Sequence, residues 1–97
     1  MSCYFHPGAE AEHLESIAFF ESRQNGLGVA YLAEFEGAMA TVVQMPQRYR
    51  VERKPNIRSV SLARFPFKII FRDMEGMVQI LAVSHKRRRP DYWLNRL

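Results

Sequence analysis

Four consecutive cations, Lys86 to Arg89, stand between a histidine, His85, and an aromatic pair, Tyr92-Trp93, near the end of this 97-residue chain. Guanidinium groups grip phosphates and carboxylates in two-pronged fashion, and aromatic rings stack on bases or on guanidinium planes. Arg64, Lys68 and Arg72 lie upstream, placed to extend the positive surface from neighbouring strands. The candidate binding set is therefore Arg72, His85, Lys86, Arg87, Arg88, Arg89, Tyr92 and Trp93. Tyr92 serves as a general acid or base only if neighbouring cations lower its pKa from about 10. Plainer readings stand beside these. Trp93 and Leu97 pack the tail onto the sheet edge, the preferred reading for Trp93. His85 reads equally as a hydrogen-bonded strand end or as a functional group. Four adjacent cations are seldom purely structural, because none is buried cheaply.

Other chemistries find little support. Asp73 and Glu75 fall in a turn, where paired carboxylates are usually solvated. The Ser, His and Cys residues form no recognisable nucleophile motif, and His6, His13 and His85 lack metal-ligand spacing. Gly26-Leu27-Gly28 is too short to cradle a phosphate and reads as a turn. A single cysteine, Cys3, permits no internal disulfide. No metal or other cofactor is expected, and the reading leans away from an enzyme.

The net charge of +4 is divided unevenly. Residues 1–45 hold one basic residue against six acidic ones, a net −5, while residues 46–97 hold thirteen against four, a net +9. That asymmetry points to a working surface for a polyanion or an acidic partner. The N-terminus lacks the apolar segment of a secretory signal. No apolar run approaches the ~18–20 residues that cross a bilayer. A cytoplasmic protein of one domain, residues 1–97, with no membrane partner, is the expectation.

The elements that must position the cluster can be read from periodicity. Cys3 to His6 forms a short strand, and Pro7 suits a first helical turn. Leu14, Ile17 and Ala18 recur at helical spacing up to Arg23. Asn25-Gly26-Leu27-Gly28 interrupts, and Tyr31, Leu32, Phe35, Met39 and Val42 mark a second helix that Pro46 ends. Gln47 to Asn56 reads as a basic loop. Ser59 to Leu62 then alternates as a strand, and Pro66 turns the chain. Phe67 to Arg72 is a second strand, Asp73 to Gly76 a hairpin turn, and Met77 to His85 a third strand. That strand is apolar on both faces: Val78, Ile80 and Ala82 on one, Met77, Leu81 and Val83 on the other. The expected fold is α+β, a helical hairpin on one face of a small, mostly antiparallel sheet, in the order β-α-α-β-β-β with a short C-terminal helical turn. One sheet face is left needing a cover, for which a partner segment is a candidate.

His6-Pro7 before an Ala/Glu-rich helix, Gly26-Leu27-Gly28, and Met45-Pro46 together resemble the plasmid-stabilisation toxins of the RelE/ParE superfamily. So do Arg64-Phe65-Pro66-Phe67-Lys68-Ile69-Ile70-Phe71-Arg72 and Leu81-Ala82-Val83-Ser84-His85-Lys86-Arg87-Arg88-Arg89-Pro90-Asp91-Tyr92-Trp93. Each motif is weak alone, but they cover nearly the whole chain in order.

The resemblance implies a bacterial type II toxin, growth-inhibiting until neutralised by a cognate antitoxin whose acidic or amphipathic C-terminal segment folds on binding. Within the superfamily, ParE-like members bind DNA gyrase without known enzymatic activity. RelE-like members cut messenger RNA on the ribosome. The strand before Phe67–Arg72 carries alternating basic residues in the RelE pattern, where this chain has Ser59 and Ser61. A hydroxyl supplies no cation to a developing charge. Lys68 and Arg87 match basic positions of that pattern, and Tyr92 falls one residue out of register. The leading expectation is a ParE-like inhibitor of gyrase. The alternative is a metal-independent ribonuclease with Arg64, Lys68, Arg87 and Tyr92 around the scissile phosphate. A second alternative is a non-toxic basic module that binds nucleic acid.

Overall fold

His6 starts the first helix with its own ring, Nδ1 accepting the Gly8 N–H at 3.0 Å, and Pro7 supplies a preset backbone angle where no amide is needed. The computed structural model, which describes residues 2–97, places strand β1 at Cys3–Phe5, helix α1 at Pro7–Arg23 and helix α2 at Leu27–Gln44. Gly26 caps α2 at φ +88°, a left-handed conformation that side chains resist. Glu21 accepts the N–H groups of Gly26 and Gly28, satisfying two donors of the α2 start. A Cβ on Gly28 would meet the Ile17 carbonyl at 2.7 Å, so glycine is what lets the two helices close up there.

The helical stripe of α2 follows the sequence at Tyr31, Phe35, Met39 and Val42, which are buried, while Leu32 is only half-buried. That of α1 has the right period and the wrong phase. Its buried face carries Ala9, His13 and Ser16, with Ile17 and Phe20 half-buried, while Leu14 is exposed. Small or hydrogen-bonded residues fit a close helix contact better than leucine does. The Ser16 hydroxyl donates to the Glu12 carbonyl, and His13 Nδ1 lies 3.3 Å from the Tyr31 hydroxyl.

After a short 3-10 turn at Pro46–Arg48 come β2 (Arg50–Arg53), β3 (Ile57–Ser61), β4 (Phe67–Met74) and β5 (Met77–His85). The five strands lie in the order β1-β5-β4-β3-β2, antiparallel except for β1 against β5. Strand β2 corrects the basic loop expected over residues 47–56: Arg50 and Val51 pair with Ser59 and Arg58. Its strand character was hidden because alternate positions are Arg and Glu rather than apolar. The β4–β5 hairpin closes through Glu75 and Gly76, both at positive φ, the pattern of a two-residue primed turn. Asp73 Oδ1 accepts the Gly76 N–H there.

One irregularity rearranges β5. Phe71 and Ile70 are neighbours on β4, yet they pair with Ile80 and Ala82, so Leu81 is an extra residue on β5. Such a bulge reverses the alternation beyond it. Val78, Ile80 and Val83 therefore face the helices, together with Phe67, Ile69 and Phe71. Leu81 and Ala82 share the opposite face with Ile57 and Ile70. This corrects the strict twofold grouping expected from the sequence. It also corrects the expectation about the open face: part of its cover is Trp93 from the chain's own tail, only 3% exposed.

Candidate functional site

The basic tail begins where β5 stops. Lys86 N–H donates to the Pro66 carbonyl, Arg88 N–H to the His85 carbonyl, and Arg87 N–H to His85 Nδ1 at 3.0 Å. His85 thus ends the strand and shapes the turn after it, with its ring edge-on to Phe67. Asp91, at φ +63°, redirects the chain so that Trp93 enters the apolar face and Leu94–Arg96 forms a last 3-10 turn.

A residue absent from the sequence-derived set holds this tail in place. Glu12, on α1, binds Arg96 through both oxygens at 3.0 and 2.9 Å and accepts the Tyr92 hydroxyl at 2.7 Å. It also takes the Val83 N–H at 2.9 Å and lies 3.6 Å from Arg88. Arg96 in turn donates to the Leu81 carbonyl at the bulge. A Cβ on Gly8 would come within 2.7 Å of the Arg96 guanidinium, so a side chain there would make that group shift from its present seat. Arg88 lies 3.9 Å from the centre of the Tyr92 ring, a cation–π stack.

Tyr92 does not become an acid–base group by cation proximity. Burial, with the hydrogen bond to Glu12 and its negative charge adding to it, pushes the phenol up to about 12. The hydroxyl is committed as a donor to that carboxylate.

On the sheet face opposite the helices, β2, β3, β4, the end of β5 and the tail enclose a cleft of about 280 Å³. Lys68 stands in it with Ser61 and Ser84 as its direct cross-strand neighbours. Its ammonium is not free: Nζ donates to Glu52 Oε2 at 2.8 Å, and the Ser59 hydroxyl donates to Glu52 Oε1 at 2.8 Å. The Lys68 hydrogen bond is the main reason that the Glu52 carboxyl sits below the usual carboxylate range. Arg50, Lys86 and Arg88 also line the cleft.

The structure thus gathers Lys68, His85, Lys86, Arg88 and Trp93 about one cleft and places the remaining candidates elsewhere. Arg64 is tied to Glu34 of α2 at 3.0 Å. Arg72, four residues along β4 from Lys68, hydrogen-bonds Gln79. Arg87 and Arg89 point their charge to solvent, and neither forms an ion pair among the described residues. Tyr92 is half-buried and Trp93 buried, so both support the tail. Sequence reasoning missed Glu12, Glu52, Arg50 and Arg96. Glu52 had one available signal, as the only acid in the basic stretch 48–54.

A second groove, about 340 Å³, runs between α1 and the end of β5, lined by Phe19, Phe20, Pro66, Phe67 and Val83, with Arg88 at its border. Among the described residues no helix is long and apolar enough to cross a membrane.

No family model matches the chain, and no curated protein matches it. Among solved structures, a chain of a "chromosomal ParDE TA system from P. aeruginosa" superposes with a TM-score of 0.70 at 20% identity. The superposition covers 88% of this chain and 95% of that one. The two share a fold: a helical hairpin on a mostly antiparallel five-stranded sheet is the architecture here.

Proposed function

We propose that this protein is the toxin of a bacterial type II toxin–antitoxin pair, neutralised by a cognate antitoxin. We propose further that it inhibits growth by binding DNA gyrase rather than by chemistry of its own. The shared fold supports the toxin assignment. The observation that carries the non-enzymatic reading is the internal neutralisation of Lys68 by Glu52, alongside a Tyr92 hydroxyl locked onto Glu12. Phosphodiester cleavage needs cations aimed at the developing charge and a proton-transfer group with a pKa near the operating pH. Here the central lysine faces a carboxylate, the phenol is raised to about 12, and Arg64 is held on α2.

Two features support a partner that is acidic and amphipathic. Lys86, Arg87 and Arg89 are exposed, and Arg88 of the same run lines a groove whose apolar part is Phe19, Phe20, Pro66, Phe67 and Val83, with Glu12 and Glu15 also in its wall. A segment with carboxylates next to apolar anchors would satisfy both. Target binding through the exposed cations is suppressed when such a segment covers them.

Inducible expression in a bacterium lacking the antitoxin tests the reading, following growth, pulse-labelled protein synthesis and a DNA-damage reporter together. The expected result is arrest with early reporter induction while translation continues. Immediate loss of protein synthesis with cut messages would replace gyrase inhibition by ribonuclease action. Normal growth at confirmed expression would remove the toxin assignment.

A further inference from the structure

A slot of about 300 Å³ opens between β1 and the second half of α2, walled by Phe5, Phe35, Met39, Val43 and Ile80. Its polar lining is Ser2, Cys3, His13 and Glu36, without one of the chain's fourteen Lys and Arg residues. His13 is only 7% exposed, with its ring centroid 5.1 Å from that of Phe5 and 4.2 Å from that of Phe35. Its Nδ1 faces the Tyr31 hydroxyl at 3.3 Å, while Nε2 has no hydrogen-bond partner among the described residues. No fully sealed side-chain polar atom among those residues lacks a partner, so Nε2 has an opening, and the slot that His13 lines provides it. A ring buried for packing alone would lose stability by carrying an unsatisfied nitrogen, and phenylalanine would avoid that loss.

The neighbours of His13 decide what Nε2 offers. The Ser16 hydroxyl donates to the Glu12 carbonyl and stands next to the Tyr31 hydroxyl. Tyr31 then donates to Ser16 and accepts from His13, which puts the imidazole proton on Nδ1 and leaves a lone pair on Nε2. Burial keeps this ring in its neutral form, against the pull of the negative charges on Glu36 and Glu10. Both of those carboxylates are exposed, and neither forms an ion pair among the described residues. A lone pair, aromatic rings and two unpaired carboxylates at one slot are all complementary to a cation.

We propose that this slot is a binding site for a small primary alkylamine, whose ammonium head donates to His13 Nε2 beside Glu36 and whose apolar stem lies along Phe35, Met39 and Val43. The size fits a small molecule: about 300 Å³ stands at the lower end of the roughly 300–1,000 Å³ of small-molecule pockets. A protein partner would instead need a broad surface, about 800 Å² on each side. The head fits because an ammonium brings three donors and no acceptor to a place that offers acceptors alone. The stem fits because five of the lining side chains are apolar. The inference stands on the slot and does not depend on the toxin reading.

The test titrates the full chain with pentylamine at neutral pH and constant ionic strength, following the His13 ring nitrogens and the Met39 methyl group by NMR. The expected result is a saturable shift of Nε2 and of the Met39 methyl, with the proton staying on Nδ1. Pentanol, which has the same stem and no charge, is expected to bind about tenfold more weakly. Glu36→Gln, a change at an exposed position, is expected to weaken amine binding about threefold and to leave pentanol binding unchanged. His13→Phe keeps an aromatic ring in the stack and removes the acceptor, and is expected to weaken amine binding about tenfold. The absence of a saturable shift would overturn the proposal, as would equal affinity for pentanol or full amine binding by folded His13→Phe. Shifts confined to Glu10 and Glu36 would mean surface screening and would overturn it too. If His13→Phe does not fold, the amine-against-alcohol comparison on the wild-type chain decides alone.

Discussion

Glu12 and Arg96 face each other across 84 residues of chain in a two-pronged pair, Nη1 to Oε1 at 3.0 Å and Nη2 to Oε2 at 2.9 Å. The pair joins the first helix to the last turn, and the basic segment between β5 and Arg96 takes its path from it. Both side chains are mostly buried, so the interaction is poorly screened by water.

Glu12→Ala leaves the Tyr92 hydroxyl and the Val83 N–H without their acceptor and the Arg96 guanidinium with only the Leu81 carbonyl. Loss of one partner from a half-buried network costs about 2–3 kcal/mol. Urea unfolding of the variant against wild type reads this directly. A loss under about 0.5 kcal/mol, the range of ordinary surface changes, would mean that the tail is not held by Glu12.

Trp93→Ala opens the small cluster with Ile57, Ile70, Leu81 and Ala82. A buried tryptophan truncated to alanine costs about 3–5 kcal/mol. The accompanying sign is exposure of an apolar sheet face, seen as binding of a hydrophobic dye. Unchanged stability and no dye binding would return Trp93 to the list of surface contacts.

Arg87 and Arg88 adjoin in sequence but should respond differently to alanine. Arg87 donates only its backbone N–H, to His85, so Arg87→Ala should shift stability by less than about 0.5 kcal/mol while weakening growth arrest. Arg88 stacks on Tyr92 and approaches Glu12, so Arg88→Ala should cost about 0.5–1 kcal/mol besides reducing arrest. Thermal melts and induced-growth curves on the same variants check both. A large loss of folded protein from Arg87→Ala would count against its role at the surface.

Stability should fall at both ends of the pH scale for separate reasons. Burial holds the His13 imidazole below its ordinary 6.5, so the unfolded chain binds that proton more readily. The His13 contribution is present above pH 6.5 and declines as pH falls through the folded-state value. Tyr31 and Tyr92 are both raised to about 12 from 10, chiefly by burial. Their contribution is whole below pH 10 and is lost as pH rises toward 12. Unfolding free energies measured across pH should show both limbs, and Tyr92→Phe should make the alkaline limb shallower. An alkaline limb identical in that variant would show that Tyr92 is equally free to ionise in the folded and unfolded chains.

Local patterning made much of this protein legible in its sequence. The α2 stripe of Tyr31, Phe35, Met39 and Val42, the turn at Gly26, the hairpin closed by Glu75-Gly76 and the separation of acidic from basic halves follow from residues near one another in the chain. Helical and twofold periods are read directly in such segments, because each residue's side is set by its neighbours. The tertiary structure alone decided which way α1 turns, that Leu81 reverses the β5 faces, and that residues 50–53 form an edge strand. It also decided where the charges go. Glu12 and Glu52 are not among the sequence-derived candidates, because hydropathy weighs a carboxylate without its partners. Burial becomes affordable only once Arg96, Tyr92, Lys68 and Ser59 arrive from distant parts of the chain. The separation of charge is a property of composition, while its pairing across the fold exists only after the sheet has registered and the tail has closed over it.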